Sequence, residues 1–170
     1  MSPIEKKELR GFSYIGKKEC IPTWKLPMFC KNTFKDAKQR LVKLPEQPLV
    51  FARYSNLDWA NAKSPESIIG FIKMMFKKWQ AEAGIATSEQ PEDLPAQLIY
   101  SEVKSAANSL QTIHKGPYHK VGDTYNRIID FAKEQQLTLA DESIEIYLND
   151  PAEVKPDELE TKVIVPLKNC

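Results

Sequence analysis

Glu145 and Tyr147 stand two residues apart in SIEIYLND, where Ile144, Ile146 and Leu148 alternate with Ser143, Glu145 and Tyr147. In a β-strand that period of two sets the carboxylate and the phenol on one face. An acid among aromatic rings can hold a cationic lipophile, whose charge is attracted to both the carboxylate and the ring faces. Spacing alone describes a solvent-facing glutamate at least as well, since glutamates are mostly exposed. Tyr118 follows Gly116 and Pro117 at the expected start of a helix, a position that could aim its ring into a cleft. Tyr125 lies two turns on, and its periodicity reads first as packing against a sheet. Tyr100 and Glu102 form a second acid-aromatic pair on another expected strand. Trp24 and Trp59 occupy loop-like segments, where a large aromatic either anchors on the core or lines a ligand site; Trp59 joins the candidate ligand-binding residues. His114, expected to share a sheet face with Thr112, reads as a hydrogen-bonded structural histidine before a catalytic one.

Other chemistries lack their residues. No Gly-x-Gly-x-x-Gly, Walker loop, nucleophile elbow or zinc-binding helix motif occurs, so no cofactor is expected, and nothing points to the members of a Ser-His-Asp arrangement. Cys20, Cys30 and Cys170 are odd in number and widely spaced, with two histidines in the chain, which argues against a metal site and a disulfide framework. Twenty-four basic against 23 acidic residues leave a net charge of +1, giving no broad electrostatic reason to bind nucleic acid. The charged N-terminus lacks a secretory apolar core, and IIGFIKMMF is short and interrupted by Lys73, so a soluble cytoplasmic protein without a membrane partner is expected.

The elements that must position these residues follow from periodicity. Phe12–Lys17 suggests a strand, followed by a proline-punctuated stretch through Pro22 and Pro27. TFKDAKQRLVKL then offers a short helix with Phe34, Ala37, Leu41, Val42 and Leu44 near helical spacing. LVFARYS reads as a strand. The strongest helix signal begins at Ser64, with Pro65 at the first helical position; Ile68, Ile69, Ile72, Met75, Phe76, Trp79 and Ala83 fall on one face and Gly84 lies just past the end. That pattern assigns Trp79 to the core. An acidic loop leads to strands at AQLIYSEV and SLQTIHK. A second helix carries Val121, Tyr125, Ile128, Ile129 and Ala132 on one face, and SIEIYLND and TKVIVPL close the chain as strands. Two strand-helix-strand-strand units would fit the whole chain.

HKGPYHKVGDTYNRIIDFAKEQQ, IEIYLNDP and TKVIVPL, in that order and spacing, resemble three landmarks of the GyrI-like (gyrase-inhibitor-like) effector-binding family, clearest over residues 106–167. The matching positions are His114, Gly116, Pro117 and Tyr118, then Glu145 and Tyr147, then Pro166 and Leu167. The resemblance implies an α+β domain over residues 1–170: a pseudo-twofold repeat of strand-helix-strand-strand units, with an antiparallel sheet, two helices packed on it and a ligand cleft at the repeat junction. Residues 1–48 are its least readable portion, and the Ser64 helix is expected to be the first helix of the repeat, with a compressed strand pair after it. Members of the family include effector domains of transcription regulators, stand-alone drug binders, a gyrase-inhibiting protein and hydrolases of reactive cyclopropane-bearing natural products. Matching members place a carboxylate from this strand in the pocket, a role the resemblance implies for Glu145.

The leading expectation is a stand-alone module that captures an aromatic, including cationic lipophilic, small molecule with Glu145, Tyr147, Tyr118, Tyr125, Tyr100 and Trp59. The alternative is a hydrolase of strained electrophiles in which Glu145 positions or deprotonates water. A third is a protein partner that the chain inhibits or serves as a sensor. Residues 1–48 hold one short helical candidate and no helix-turn-helix, which disfavours direct DNA regulation.

Overall fold

A computed structural model describes residues 2–41, 47–59 and 76–168. Its frame is one eight-stranded antiparallel sheet. The strands are β1 (Glu5–Leu9), β2 (Phe12–Pro22), β3 (Val50–Ser55), β4 (Lys78–Ala86), β5 (Ile99–Val103), β6 (Ala106–Lys115), β7 (Glu142–Tyr147) and β8 (Glu160–Pro166), in the spatial order β1-β6-β8-β7-β3-β4-β2-β5. Among the described residues the two helices of length are α1 (Leu26–Lys38) and α2 (Val121–Glu134). The order divides between β7 and β3 into two like halves: β2-α1-β3-β4 on one side and β6-α2-β7-β8 on the other, with β5 and β1 flanking β2 and β6. This is the expected repeat.

The first half departs from expectation in its parts. Its helix is α1, which starts at Leu26 instead of Thr33 and ends at Lys38, short of Leu41. Pro27 lies in the first turn of α1, where a missing N–H costs no intrahelical hydrogen bond, so the proline that suggested an irregular stretch begins a helix. Residues 60–75, which hold most of the expected Ser64 helix, lie outside the described residues, as do residues 42–46. The end of that helix is overturned: Trp79, Ala83 and Gly84 belong to β4. KWQAEAGIA alternates, with Ala81, Ala83 and Ile85 facing one side and Glu82 and Gly84 the other. Gly84 is not a helix cap. It pairs with Gly16 mid-strand, and a Cβ there would stand 2.7 Å from the Tyr14 ring.

Packing follows the alternation. On the helix-bearing face, α1 sets Phe29 and Cys30 against Ala52, Ala81 and Ala83, small residues that let the helix approach the sheet. In α2, Ile128, Ile129 and Ala132 pack on Leu110, Val163 and Val165. Each such isoleucine or leucine removed from water contributes roughly 1.5–3 kcal/mol. On the other face, Leu9 and Val103, from strands at opposite edges, join Tyr14, Phe51, Ile144 and Ile164 in one cluster, so the sheet curls.

Candidate functional site

The seam between the halves is the pairing of β3 with β7. Its register sets Ala52 opposite Glu145, Tyr54 opposite Ser143 and Val50 opposite Tyr147. Directly opposed residues share a face, so Glu145, Tyr147 and Tyr54 all point toward the helices, with Ile144 and Ile146 on the reverse. Glu145 is 6% exposed. The Tyr125 hydroxyl donates to its Oε1 at 2.9 Å and also reaches Ser143 Oγ at 3.1 Å, while the Tyr147 hydroxyl lies 3.3 Å from Oε2.

Aromatic rings extend from this carboxylate in both directions. Tyr147 meets Phe34 of α1 and Tyr118, each edge-on, at centroid separations of 5.9 and 5.4 Å. Trp59 lies 6.1 Å from Tyr125 and its indole N–H donates to the Ala140 carbonyl at 2.6 Å. Tyr54 stands 6.4 Å from Trp79, whose indole N–H donates to Thr23 Oγ1 at 2.7 Å. Four of the chain's six tyrosines thus gather at one place.

Tyr118 is positioned by the turn after β6. Gly116 takes φ +118°, a conformation side chains disfavour, and Pro117 then leads into a 3-10 turn over Tyr118–Lys120. His114 closes this turn. Its Nε2 lies 3.3 Å from the Pro117 carbonyl, which can only accept, so that nitrogen carries a proton; Nδ1 sits 2.9 Å from the Thr124 hydroxyl. The histidine is buried, with a partner in the chain at each ring nitrogen.

Burial raises the pKa of Glu145 above the ordinary carboxylate range, and hydrogen bonds from Tyr125 and Tyr147 pull it down only in part. Burial, followed by the neighbouring Glu145 charge, likewise lifts the phenols of Tyr125 and Tyr54 well above their usual value. Burial pushes the Cys30 thiol up to about 12, with the Glu145 charge adding to it, so this cysteine is a neutral packing group at physiological pH. Among the described residues no cation pairs with Glu145.

A second buried carboxylate provides the contrast. Glu82, 3% exposed, lies on the opposite face. It accepts from Tyr14 at 2.7 Å and is paired with Lys18 at 2.8 Å and Arg53 at 3.3 Å, while Arg53 Nε also donates to Glu142 at 2.7 Å. Burial pushes the Glu82 pKa up, but the Lys18 and Tyr14 hydrogen bonds and the two cationic charges outweigh it and leave the pKa lowered. One acid is paired with the chain's own cations; the other is hydrogen-bonded by neutral phenols.

Of the residues singled out from sequence, Glu145, Tyr147, Tyr118, Tyr125 and Trp59 come together. Tyr100 does not: it packs with Ile15, Ala37, Ile85 and Leu98, apart from the Glu145 cluster, and Glu102 lines a separate open groove of about 910 Å³ with Phe12, Leu49 and Lys104. Sequence reasoning missed Tyr54, Phe34 and Cys30 and set Trp79 on a helix. The alternation of LVFARYS puts Tyr54 two residues from Ala52, but nothing local says that β3 pairs with β7. Among the described residues no group of three or more His, Cys, Asp or Glu side chains is placed to hold a metal ion. None of their helices is long and apolar enough to cross a membrane.

A family model, the GyrI-like small molecule binding domain, matches residues 74–168, more than half of the chain. The chain belongs to the GyrI-like family. Solved structures carry the likeness of this GyrI-like domain across its length. The EcmrR C-terminal domain matches with a TM-score of 0.72 at 15% identity, covering 100% of this chain and 99% of that one. The EcmrR chain in its DNA complex matches equally well, with TM-score 0.72 at 15% identity; the match covers 99% of this chain but only 58% of that one. SAV2435 bound to tetraphenylphosphonium matches with a TM-score of 0.59 at 11% identity, covering 98% and 94%. A hydrolase from Listeria innocua matches with a TM-score of 0.57 at 12% identity, covering 97% and 91%. At such identities these likenesses show the fold. No curated protein matches the chain.

Proposed function

We propose that this GyrI-like domain, acting as one effector-binding unit, captures lipophilic aromatic cations at the seam between its two halves, with Glu145 as the counter-charge and Tyr147, Tyr125, Tyr118, Tyr54 and Trp59 as its aromatic surround. The observation that carries the reading is the difference between the two buried carboxylates. Glu82 has Arg53 and Lys18, whereas Glu145 has phenolic donors and, among the described residues, no cation. A carboxylate in an apolar, aromatic environment is costly to ionise, and an incoming cation relieves that cost while its rings stack on the tyrosines. Tetraphenylphosphonium, the compound bound to the fold neighbour SAV2435, has this chemistry.

The test is titration calorimetry with tetraphenylphosphonium and with a neutral aromatic of similar size, on the parent and on Glu145→Gln. Loss of a charge-assisted contact worth about 1.5–3 kcal/mol predicts about 10- to 150-fold weaker cation binding in the variant, with the neutral compound unaffected. Equal cation affinity in both proteins would remove Glu145 from the site.

The raised pKa of Glu145 also favours a second reading, hydrolysis of a strained electrophile such as an activated cyclopropane. A carboxylate with elevated pKa can accept a proton from water as the oxygen attacks one ring carbon; the electron pair of the broken ring bond leaves with the activating group, which then takes up that proton. Mass spectrometry of an incubated cyclopropane compound decides it: a product that has gained the elements of water, absent with Glu145→Gln, supports catalysis, and intact compound supports capture alone.

A further inference from the structure

The outward side of α1 is chemically unlike the rest of the surface. Its exposed positions are Pro27, Met28, Lys31, Asn32, Lys35 and Lys38. The 3-10 turn before the helix adds Trp24, 50% exposed, and Lys25, whose ammonium lies 5.1 Å from the Trp24 ring centroid. The start of β4 reaches the same place, because the Thr23 N–H donates to the Lys77 carbonyl at 3.0 Å. That bond brings Lys77 and the adjoining Phe76 to the segment that carries Trp24. Met28 is 61% exposed and Phe76 68%.

Three large apolar side chains therefore stand in water at one end of α1, with Lys25 and Lys77 beside them and Lys31, Lys35 and Lys38 running along the exposed side of the same helix. None of these lysines is ion-paired among the described residues. Among the described residues the acids on this side are Asp36, already paired with Lys17 at 2.7 Å, and Glu19 on β2. In a chain whose overall charge is +1 this is a strong local excess.

We propose that this face docks on an anionic lipid surface, with Trp24, Met28 and Phe76 entering the interfacial layer and the lysine stripe lying over the headgroups. Tryptophan is favoured at the boundary between headgroups and chains, and a helix with lysines around an apolar tip lies in the interface plane. The lysines alone would equally suit a nucleic-acid backbone. The exposed tryptophan, methionine and phenylalanine have no use there and are explained by an apolar layer beneath the charge. The expectation of no membrane partner came from the lack of a spanning run, which does not bear on a patch assembled from two separate segments.

Docking here would bring the aromatic cluster around Glu145 near the surface where lipophilic cations concentrate. Trp79 links the two regions: its indole donates to Thr23, beside Trp24, and its ring faces Tyr54. This consequence rests on the proposed function; the docking itself does not.

The experiment is flotation with vesicles of equal parts phosphatidylglycerol and phosphatidylcholine, compared with phosphatidylcholine alone, using the full chain without added ligand. The parent is expected to float with the anionic vesicles, with a blue shift of tryptophan emission, and to be released by salt. Each lysine near such a surface is worth about fivefold in partitioning, so Lys31→Gln/Lys35→Gln/Lys38→Gln should weaken binding on the order of a hundredfold. Trp24→Ser/Met28→Ser should abolish the blue shift. All five side chains are exposed, and an unchanged thermal midpoint checks that each variant is folded. The proposal is overturned if the parent fails to float, if it floats equally on neutral vesicles, or if both variants float as the parent does. It is equally overturned if the lysine changes abolish binding to duplex DNA while leaving flotation intact. Cation affinity measured in the absence of vesicles reports on the Glu145 site separately, so failure of one reading is distinguishable from failure of the other.

Discussion

Glu145 and Glu82 are each nearly inaccessible, yet their neighbours set opposite consequences for stability. The raised pKa of Glu145 means that the folded chain holds this proton more tightly than the unfolded chain. That contribution is complete below the ordinary carboxylate value of 4.5 and is lost as pH rises through the raised value. Glu145→Gln, which never ionises, should therefore melt higher than the parent at neutral pH, by about 2–4 °C for each kcal/mol recovered, and the difference should vanish in acid. A variant melting lower at neutral pH would mean that the carboxylate is already satisfied. Glu82 has the reverse sign: its contribution is present above 4.5 and is lost as pH falls through the lowered value. Glu82→Gln leaves half-exposed Lys18 without its acid and Arg53 with Glu142 alone, and should cost about 1–3 kcal/mol at neutral pH in urea denaturation, less in acid. A neutral outcome would show that the ion cluster contributes no stability.

At the scale of elements, β4 is where local preference and final structure part. Alanine is the best helix former, and Ala81 and Ala83 continue a helical reading begun at Ser64. In the sheet the same alanines are the floor on which α1 packs, and Gly84 makes room for the Tyr14 ring. Gly84→Val should therefore destabilise by about 1–3 kcal/mol through overpacking, read as a lower thermal midpoint. At the end of a helix the same substitution would have replaced a residue in positive φ, which Gly84 does not adopt. The elements of the second half were legible because their periods are unambiguous. In α2, Tyr125, Ile128, Ile129 and Ala132 repeat at helical spacing, and β7 alternates cleanly. Pro27 misled because a proline in a helix's first turn and a proline in a loop look alike until the partner surface of the helix is known.

For the molecule as a whole, binding and protonation should be linked. A cation captured by Glu145 favours its ionised form, so affinity for tetraphenylphosphonium should increase as pH rises from acid through the raised pKa of Glu145 and then level off. Calorimetry in two buffers of different ionisation enthalpy should show proton release on the acid side. An affinity independent of pH would mean that the carboxylate is ionised throughout. Such a site needs both halves of the sheet: α1 brings Phe34 and Cys30, β3 brings Tyr54, α2 brings Tyr125, and β7 brings Glu145 and Tyr147. The sequence by itself determined the alternation of β7, the face of α2, the Gly116–Pro117–Tyr118 turn and the pairing of Glu145 with Tyr147, because each is written in neighbours a few residues apart. Only the tertiary structure decided that Glu145 is buried, that its donors are phenols, and that Tyr54 and Trp79 join it while Tyr100 packs elsewhere. Those outcomes depend on which strand lies beside which, and the β3–β7 register is set by packing between residues some ninety positions apart, beyond the reach of any local period.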